Sequence, residues 1–370
     1  MVARRQTLSP PSLPGYTYVR PLGSGGFADV FLFQQNMPRR VVAVKVLLAT
    51  IQDDAAAAAF AAEADIMAGL SAHPAILTVY EASVSPDGRP YLVMEHCPSS
   101  MAARYRSERI SIPEVLSIGV KIAGAVESAH SVGMLHRDIK PSNILITSFG
   151  HPVLSDFGVA SAATSGEEDT IAMSPPWSAP EVVQRRSSGT VASEVWALAA
   201  TIYTLAAQHS PFDVPGGRRS DEQLKGRIAR AKYEPTGRED APQSFEDALA
   251  GGLRRLPADR YPSARAFGEA LQAVEREMGL PVTPLDIPAD EWAATVTERA
   301  DAGEAARGPA RSTVPVESQR RQRTSSTRTV TQDVAVSKAR KAARGLVIGF
   351  IIGGAAVIGA LITALVLLGR

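Results

Sequence analysis

Residues 345–368 form a run of 24 without a single charged side chain. At helical rise the run is about 36 Å long, enough to cross a hydrocarbon core of roughly 30 Å with some tilt. A buried core helix is the competing reading, and the length opposes it. Lys338, Arg340, Lys341 and Arg344 stand just before the run, and only Arg370 follows it. The positive-inside rule then predicts a single-pass cell-membrane protein, with everything before residue 345 cytoplasmic and the C-terminus outside.

The formal net charge is only +1, but it is unevenly spread. Residues 307–344 carry ten Lys/Arg against Glu317 and Asp333, so the chain before them is net acidic. An acidic folded part on a basic stalk argues against a nucleic-acid partner and for a specialised linker. Cys97 is the only cysteine, which rules out a disulfide within the chain and suits a reducing compartment. Residues 1–15 hold two arginines but no apolar stretch, and read as a flexible N-terminus with no signal peptide.

Between these ends, hydrophobic periodicity predicts a small strand-rich part followed by a larger helical one. Residues 19–33 read as two strands around a glycine turn and 41–48 as a third, β-branched strand. Helices are expected over 53–70, 112–131, 191–208 and 264–278, with a short apolar strand over 91–95. From about residue 280 periodicity fades into Pro, Ala, Arg, Ser and Thr, the composition of a disordered linker. The expected plan is residues 1–15, a folded domain over 16–278, a basic juxtamembrane linker over 279–344 and a membrane helix over 345–368. No internal repeat is visible.

Gly23-Ser-Gly25-Gly26-Phe27-Ala28 sits between the first two strands. Glycines there let a hairpin approach phosphates closely and offer them backbone N–H groups, although a tight turn alone would need the same residues. A strand follows this turn, not a helix, so it is not a dinucleotide fingerprint. Lys45 on the next strand lies among apolar residues, where an unpaired charge would be costly, and Glu63 stands mid-helix 18 residues on. Farther along come His136-Arg137-Asp138-Ile139-Lys140-Pro141-Ser142-Asn143 and Asp156-Phe157-Gly158. Phosphoryl transfer to a hydroxyl needs a carboxylate to take the proton, oxygen ligands for Mg²⁺ and cations over the developing charge. Asp138, the pair Asn143 and Asp156, and Lys45 with Lys140 are of those types.

With these motifs in this order, residues 16–275 resemble a Hanks-type, eukaryotic-like serine/threonine protein kinase. The resemblance implies an α+β bilobal fold, a β-rich N-lobe and a helical C-lobe, that binds ATP with Mg²⁺ or Mn²⁺ and phosphorylates Ser/Thr hydroxyls of protein substrates. It assigns Asp138 as catalytic base with Lys140 beside it, and Asn143 and Asp156 as metal ligands. Gly23, Gly25 and Gly26 would cover the phosphates, and Lys45, held by Glu63, would reach them. Leu22, Val30, Ala43 and Leu145 would enclose the adenine beside Met94, with Glu95 and Cys97 giving hinge hydrogen bonds from their backbones. Ala179-Pro180-Glu181 would close the activation segment, with Arg260 pairing Glu181. Lys140 and Ser174 imply serine/threonine specificity. The cytosolic domain, low-complexity stalk and single helix look like the bacterial membrane-anchored kind.

Two residues depart from the family pattern. Ala28 replaces the third glycine, and Glu194 replaces the aspartate that anchors the catalytic loop, one methylene longer. A pseudokinase scaffold is the alternative of another class, and the presence of Lys45, Glu63, Asp138, Asn143 and Asp156 opposes it. Three regulatory expectations follow. Thr324, Ser325, Ser326, Thr327, Thr329 and Thr331 lie within tether range for autophosphorylation. Gly345, Gly349 and Gly353 share one face of the membrane helix and favour a homodimer, together with the kinase domain. Thr170, or the acids Glu167, Glu168 and Asp169, would supply an anion to Arg137.

Overall fold

Period-two alternation decides what the N-terminal part becomes. In the strand β3 (Arg39–Leu47), Val42, Val44 and Val46 are fully buried on one face, while Ala43, Lys45 and Leu47 point to the other. The first set joins Phe31, Phe33, Tyr91 and Val93 in an outer cluster. Ala43 and Leu47 join the main core instead, so the alternation turns Lys45 toward the interior of the molecule. β1 (Tyr16–Ser24) and β2 (Ala28–Asn36) form the glycine hairpin; β4 (Val79–Val84) and β5 (Pro90–Glu95) complete an antiparallel sheet of order β1-β2-β3-β5-β4. The helix α1 (Asp54–Leu70) packs beside β4, the edge strand. The computed structural model describes residues 9–51, 54–157, 174–213 and 220–288.

The C-terminal part is helical because its segments are long and apolar on one or all sides. A short sheet of β6 (Ser99–Ser100), β7 (Ile144–Ile146) and β8 (Pro152–Leu154) precedes and interrupts the helices. α2 (Met101–Ser107) and α3 (Ile112–Ser131) come first, with Ser111 capping α3 through its side chain. α4 (Pro180–Val183), α5 (Val191–Ala207), α6 (Asp221–Arg230), α7 (Gln243–Gly252) and α8 (Ala264–Glu277) follow. α5 is the central one. Thr190 and Ser193 close a capping box at its start, and Val195, Trp196, Leu198, Ile202 and Tyr203 are buried all round it. α3, α7 and α8 pack against it. The fold is therefore bilobal, a β-rich N-lobe on a helical C-lobe.

Sequence reading and structure part at both ends of this unit. Residues 9–15 do not stand apart from it: Leu13 is buried in the outer cluster, and the Arg89 guanidinium donates to the Ser9 carbonyl at 3.1 Å. At the other end, the chain stays on the C-lobe for ten residues beyond Met278. The Thr283 N–H donates to Glu275 Oε2 at 2.8 Å and its hydroxyl to Oε1 at 2.6 Å, with Glu275 buried. Gln272 Nε2 donates to the Thr283 carbonyl at 2.8 Å, and the Asp286 carbonyl lies 2.9 Å from His73 Nε2 on the loop between α1 and β4. Proline-rich composition hid this because the segment is held by backbone groups and a few side chains, without periodicity. The sequence also left unassigned β4, β6, β7, β8, α2, α4, α6 and α7, all short or weakly periodic. Among the described residues no helix is long and apolar enough to cross a membrane; residues 345–368 lie outside them.

Gly124 makes the C-terminal strap possible. A Cβ there would stand 2.5 Å from the Asp286 carbonyl oxygen, a backbone atom that cannot swing aside. Gly→Ala inside a helix ordinarily stabilises by about 1 kcal/mol. At position 124 the clash reverses the sign: Gly124→Ala should lower the melting temperature by a few degrees, about 2–4 °C per kcal/mol for a domain of this size. A rise in melting temperature would mean that the strap is not held against α3.

Candidate active site

The loop from α3 to β7 carries the catalytic motif, and it hangs from α5. Glu194, 3% exposed, accepts a hydrogen bond from the Arg137 N–H at 2.5 Å through Oε1. Its Oε2 lies 2.6 Å from His130 Nε2 at the end of α3. Arg137 has φ 65°, a left-handed conformation that costs a non-glycine residue of the order of 1 kcal/mol or more and persists only where surroundings enforce it. The Glu194 carboxylate is that enforcement. The longer side chain thus spans to two partners on separate elements. His130 was not singled out by sequence reading; it is one of several polar residues along α3, and only its proximity to Glu194 gives it a role.

One residue on, the Asp138 carboxylate is held from three sides. The Lys140 ammonium lies 2.6 Å from Oδ2, the Asn143 amide donates to the same oxygen at 3.0 Å, and the Ser174 hydroxyl donates to Oδ1 at 2.7 Å. Lys140 also reaches Ser174 Oγ at 2.8 Å, which closes a ring of contacts. Asn143 further donates to the Asp138 carbonyl at 2.8 Å. His136 is buried; its Nε2 lies 2.8 Å from the Ser155 carbonyl and its Nδ1 accepts from the Asp138 N–H at 3.2 Å. Its ring lies 4.6 Å from that of buried Phe157. His136 therefore braces the loop with both nitrogens.

Asp156 follows with φ 63°, the second strained position of the site. Its Oδ1 is 2.8 Å from the Lys45 ammonium, which links the N-lobe sheet to the C-lobe loop. Desolvation raises the Asp156 carboxyl, but Lys45, helped by His136 and Lys140, more than offsets it and holds the group below its usual range. The neighbouring Ser155 N–H and hydroxyl both bond to the Asn143 carbonyl, at 2.8 and 3.1 Å, which keeps Asn143 and Asp156 side by side. An ionised carboxylate next to an amide oxygen is a donor set for a hard cation such as Mg²⁺. Among the described residues no cluster of three His, Cys, Asp or Glu could hold a metal.

The remaining predicted residues fall on the N-lobe sheet, its first hairpin, α1, β7 and the stretch that follows β5. Half-buried Val30 pairs opposite Lys45, and buried Ala43 opposite buried Met94. Leu22 is 37% exposed on β1, and Leu145 is half-buried on β7. The Gly25 N–H bonds to the Ala28 carbonyl at 2.8 Å, closing the hairpin tip, while a Cβ at Gly23 or Gly26 would meet nothing within 4 Å. Ala28 is itself buried, so its methyl packs downward instead of filling the loop. The Glu95 N–H donates to the Thr78 carbonyl at 2.9 Å. Burial pushes the Cys97 thiol up to about 12, so it stays protonated and packs as a small apolar residue. Glu63 is half-buried midway along α1. Gly158 and the segment 158–173, with Glu167, Glu168, Asp169 and Thr170, lie outside the described residues.

Beyond Ser174 the segment is locked to the C-lobe core. Arg260, buried, makes two bonds to Glu181, at 2.7 and 2.8 Å, and lies 5.0 Å from the Trp196 ring. Removing either partner of such a pair strands the other charge and costs about 3–5 kcal/mol. The Trp177 indole N–H donates to Thr204 on α5 at 3.0 Å, a neutral tie that sequence reading did not find.

Substitution at Glu194 tests the anchor. Glu194→Gln keeps both length and acceptor oxygen and should stay nearest to wild type. Glu194→Asp is too short to reach both partners and should be intermediate. Glu194→Ala leaves the Arg137 N–H without its acceptor, at about 1–3 kcal/mol, and should slow turnover more than tenfold. Thermal melting and steady-state rates check the order; Ala melting like wild type would remove the anchor.

The protein kinase domain family matches residues 16–270. Serine/threonine-protein kinase PknK of Mycobacterium bovis is 38% identical over 283 residues, covering 75% of this chain and 25% of that protein. PknL of Mycobacterium tuberculosis is 31% identical over 274 residues, covering 72% of this chain and 67% of that protein. The crystal structure of a mutant of the Mycobacterium tuberculosis PknI kinase domain is similar with a TM-score of 0.54 and 28% identity, over 72% of this chain and 99% of that one. The chain thus spans about a quarter of the length of its PknK relatives. On the family match and these relatives, the chain belongs to the Hanks-type serine/threonine protein kinases of bacteria.

Proposed function

We propose that the chain is an active, membrane-anchored serine/threonine protein kinase that transfers the ATP γ-phosphoryl group to protein hydroxyls. The observation that carries this reading is the ring of Asp138, Lys140, Asn143 and Ser174, all at 2.6–3.0 Å. Asp138 is positioned to accept the proton of an incoming hydroxyl as that oxygen attacks the γ-phosphorus and the bond to ADP breaks. Lys140 sits where it offsets charge on the same group, and Lys45 reaches the nucleotide phosphates from β3. A divalent ion held by Asn143 and Asp156 neutralises the phosphates when bound. Leu22, Val30, Ala43 and Leu145 supply the apolar walls for adenine, Gly23, Gly25 and Gly26 the phosphate cover, and Glu63 holds the helix-side charge near Lys45. Ser174 ties the acceptor side of the site to Asp138 and supports Ser/Thr over Tyr specificity.

Residues 345–368 tether the kinase to the cell membrane with its catalytic domain cytoplasmic, a reading supported by their length and the basic residues before them. Self-association through the membrane helix and kinase domain raises the local concentration and favours autophosphorylation of the stalk, in a signalling role.

Asp138→Asn should lower phosphoryl transfer by about 10²–10⁴-fold while ATP still binds, and Lys45→Met should cripple it similarly. Labelled ATP with Mg²⁺ and a generic protein acceptor reads both; near-normal turnover in either variant sinks the assignment. For the tether, the full chain should stay with membranes after alkaline carbonate extraction, and deletion of residues 345–368 should release it. Mass spectrometry should find phosphate on the 324–331 cluster of the wild type and none in Asp138→Asn. A soluble full chain, or a bare cluster in the active protein, would refute the respective part.

A further inference from the structure

Four exposed arginines surround one buried ion pair on the C-lobe. Arg185 and Arg186 follow α4, and Arg254 and Arg255 follow α7. Glu181 draws the two pairs together. Its carbonyl accepts from the Arg186 N–H at 2.8 Å, and its carboxylate holds Arg260. The Arg260 guanidinium in turn donates to the Arg254 carbonyl at 2.8 Å and to the Arg255 carbonyl at 3.2 Å. One contact thus fixes the backbones of both pairs, while their side chains stay in solvent. Among the described residues none of the four takes part in an ion pair. The acids at hand are Glu181, already paired, and Asp259, exposed beside Arg260. The chain before residue 307 is net acidic, so this patch is a local reversal of sign. Leu256, 58% exposed, adds an apolar side chain to it.

The patch lies on the acceptor side of the site. Arg185 and Arg186 belong to the loop between α4 and α5, and Gly189 of that loop packs on Arg137: a Cβ at Gly189 would stand 3.6 Å from Arg137 Cγ. Arg186 is three residues from Gly189, at most about 11 Å along the chain. A small cavity at this junction is lined by Arg137, Asp138, Ser174, Trp177, Ser188 and Gly189. Trp177 is tied to Thr204 without charge, so Arg137, Arg185 and Arg186 set the sign of the ground next to Asp138. A peptide whose hydroxyl meets Asp138 comes within reach of these cations a few residues farther on. An anionic membrane would meet the same charges, but it would also cover the side from which a protein acceptor arrives.

We propose that Arg185, Arg186, Arg254 and Arg255 form a docking surface for acidic segments of protein substrates, so that acceptors flanked by Asp or Glu are preferred; this rests on the kinase reading above and adds its substrate class. Opposite charges across such a surface speed encounter and fix register. The chain itself carries one segment of this kind, Glu167-Glu168-Asp169 directly before Thr170.

The test uses the full chain in detergent and three peptides around one serine acceptor. One has a run of Glu a few positions before the serine, one has it a few positions after, and one has Ala throughout. Wild type should favour one of the Glu peptides over the Ala peptide by about tenfold in kcat/KM, with the change in KM. Salt at about 0.5 M should erase the difference. Arg185→Gln with Arg186→Gln should remove most of the preference, and the quadruple Gln variant all of it, with the Ala peptide used as before. The carbonyls that hold Arg260 are backbone atoms, so these variants should melt like wild type. Binding of the labelled Glu peptides to the Asp138→Asn chain, with and without the four Gln, reads the surface by anisotropy without catalysis. No transfer to any peptide by wild type would defeat the kinase reading, and the binding measurement would still decide the docking surface. Equal use of Ala and Glu peptides by an active wild type overturns the proposal, as does binding unchanged by the four Gln. A Gln effect confined to vesicles containing phosphatidylglycerol also overturns it, by assigning the patch to a membrane.

Discussion

A single buried carboxylate organises the catalytic side of the molecule. Glu194 lies in α5, the helix surrounded by the C-lobe core, and its two oxygens reach the Arg137 N–H and His130. A charge so deep is tolerable only when both oxygens are satisfied. That requirement ties the end of α3, the catalytic loop and α5 into one unit, and lets Arg137 keep its left-handed backbone. Asp138 is then presented in one place, where Lys140, Asn143 and Ser174 converge on it. Thr201, also on α5, adds a bond to the Ile139 carbonyl at 3.3 Å.

The two lobes meet through charge. β3 turns Lys45 inward by simple alternation, and Asp156 receives it across the cleft at 2.8 Å. The ammonium keeps Asp156 ionised, so the same contact that joins the lobes also maintains a hard oxygen ligand. On the far side of the C-lobe, the Arg260–Glu181 pair fixes the end of the activation segment to the core, and Ser174 inherits its position from that end. Strain at Arg137 and Asp156 is thus held by ion pairs and hydrogen bonds drawn from four separate stretches of chain.

Much of this was legible without coordinates. The glycine hairpin, the strand lysine and the catalytic loop stand in the sequence as motifs, because each demands particular residue types at short spacing; the pairing of Arg260 with Glu181, 79 positions apart, was implied only by the family resemblance. The long helices were legible as well: α3 spans Ile112–Ser131, just as periodicity predicts, and α5 differs by one residue at its end. What escaped were elements held by contacts remote in sequence. β4 is an edge strand of mixed burial, α6 and α7 are short, and the strap over 279–288 is fastened by Glu275, Gln272 and His73.

By itself the sequence determined the bilobal fold, the set of reactive residue types and the charge-free run over 345–368, since alternation, helical periodicity and motif spacing are local properties of a chain. Only the tertiary structure decided how Glu194 compensates for being longer than the family's aspartate, because its second partner, His130, lies 64 positions away on another helix. Tertiary structure alone likewise decided that the chain stays on the fold beyond Met278. Proline-rich chain has no periodicity to betray its burial, and Gly124 reveals its purpose only when the Asp286 carbonyl is seen pressed against it.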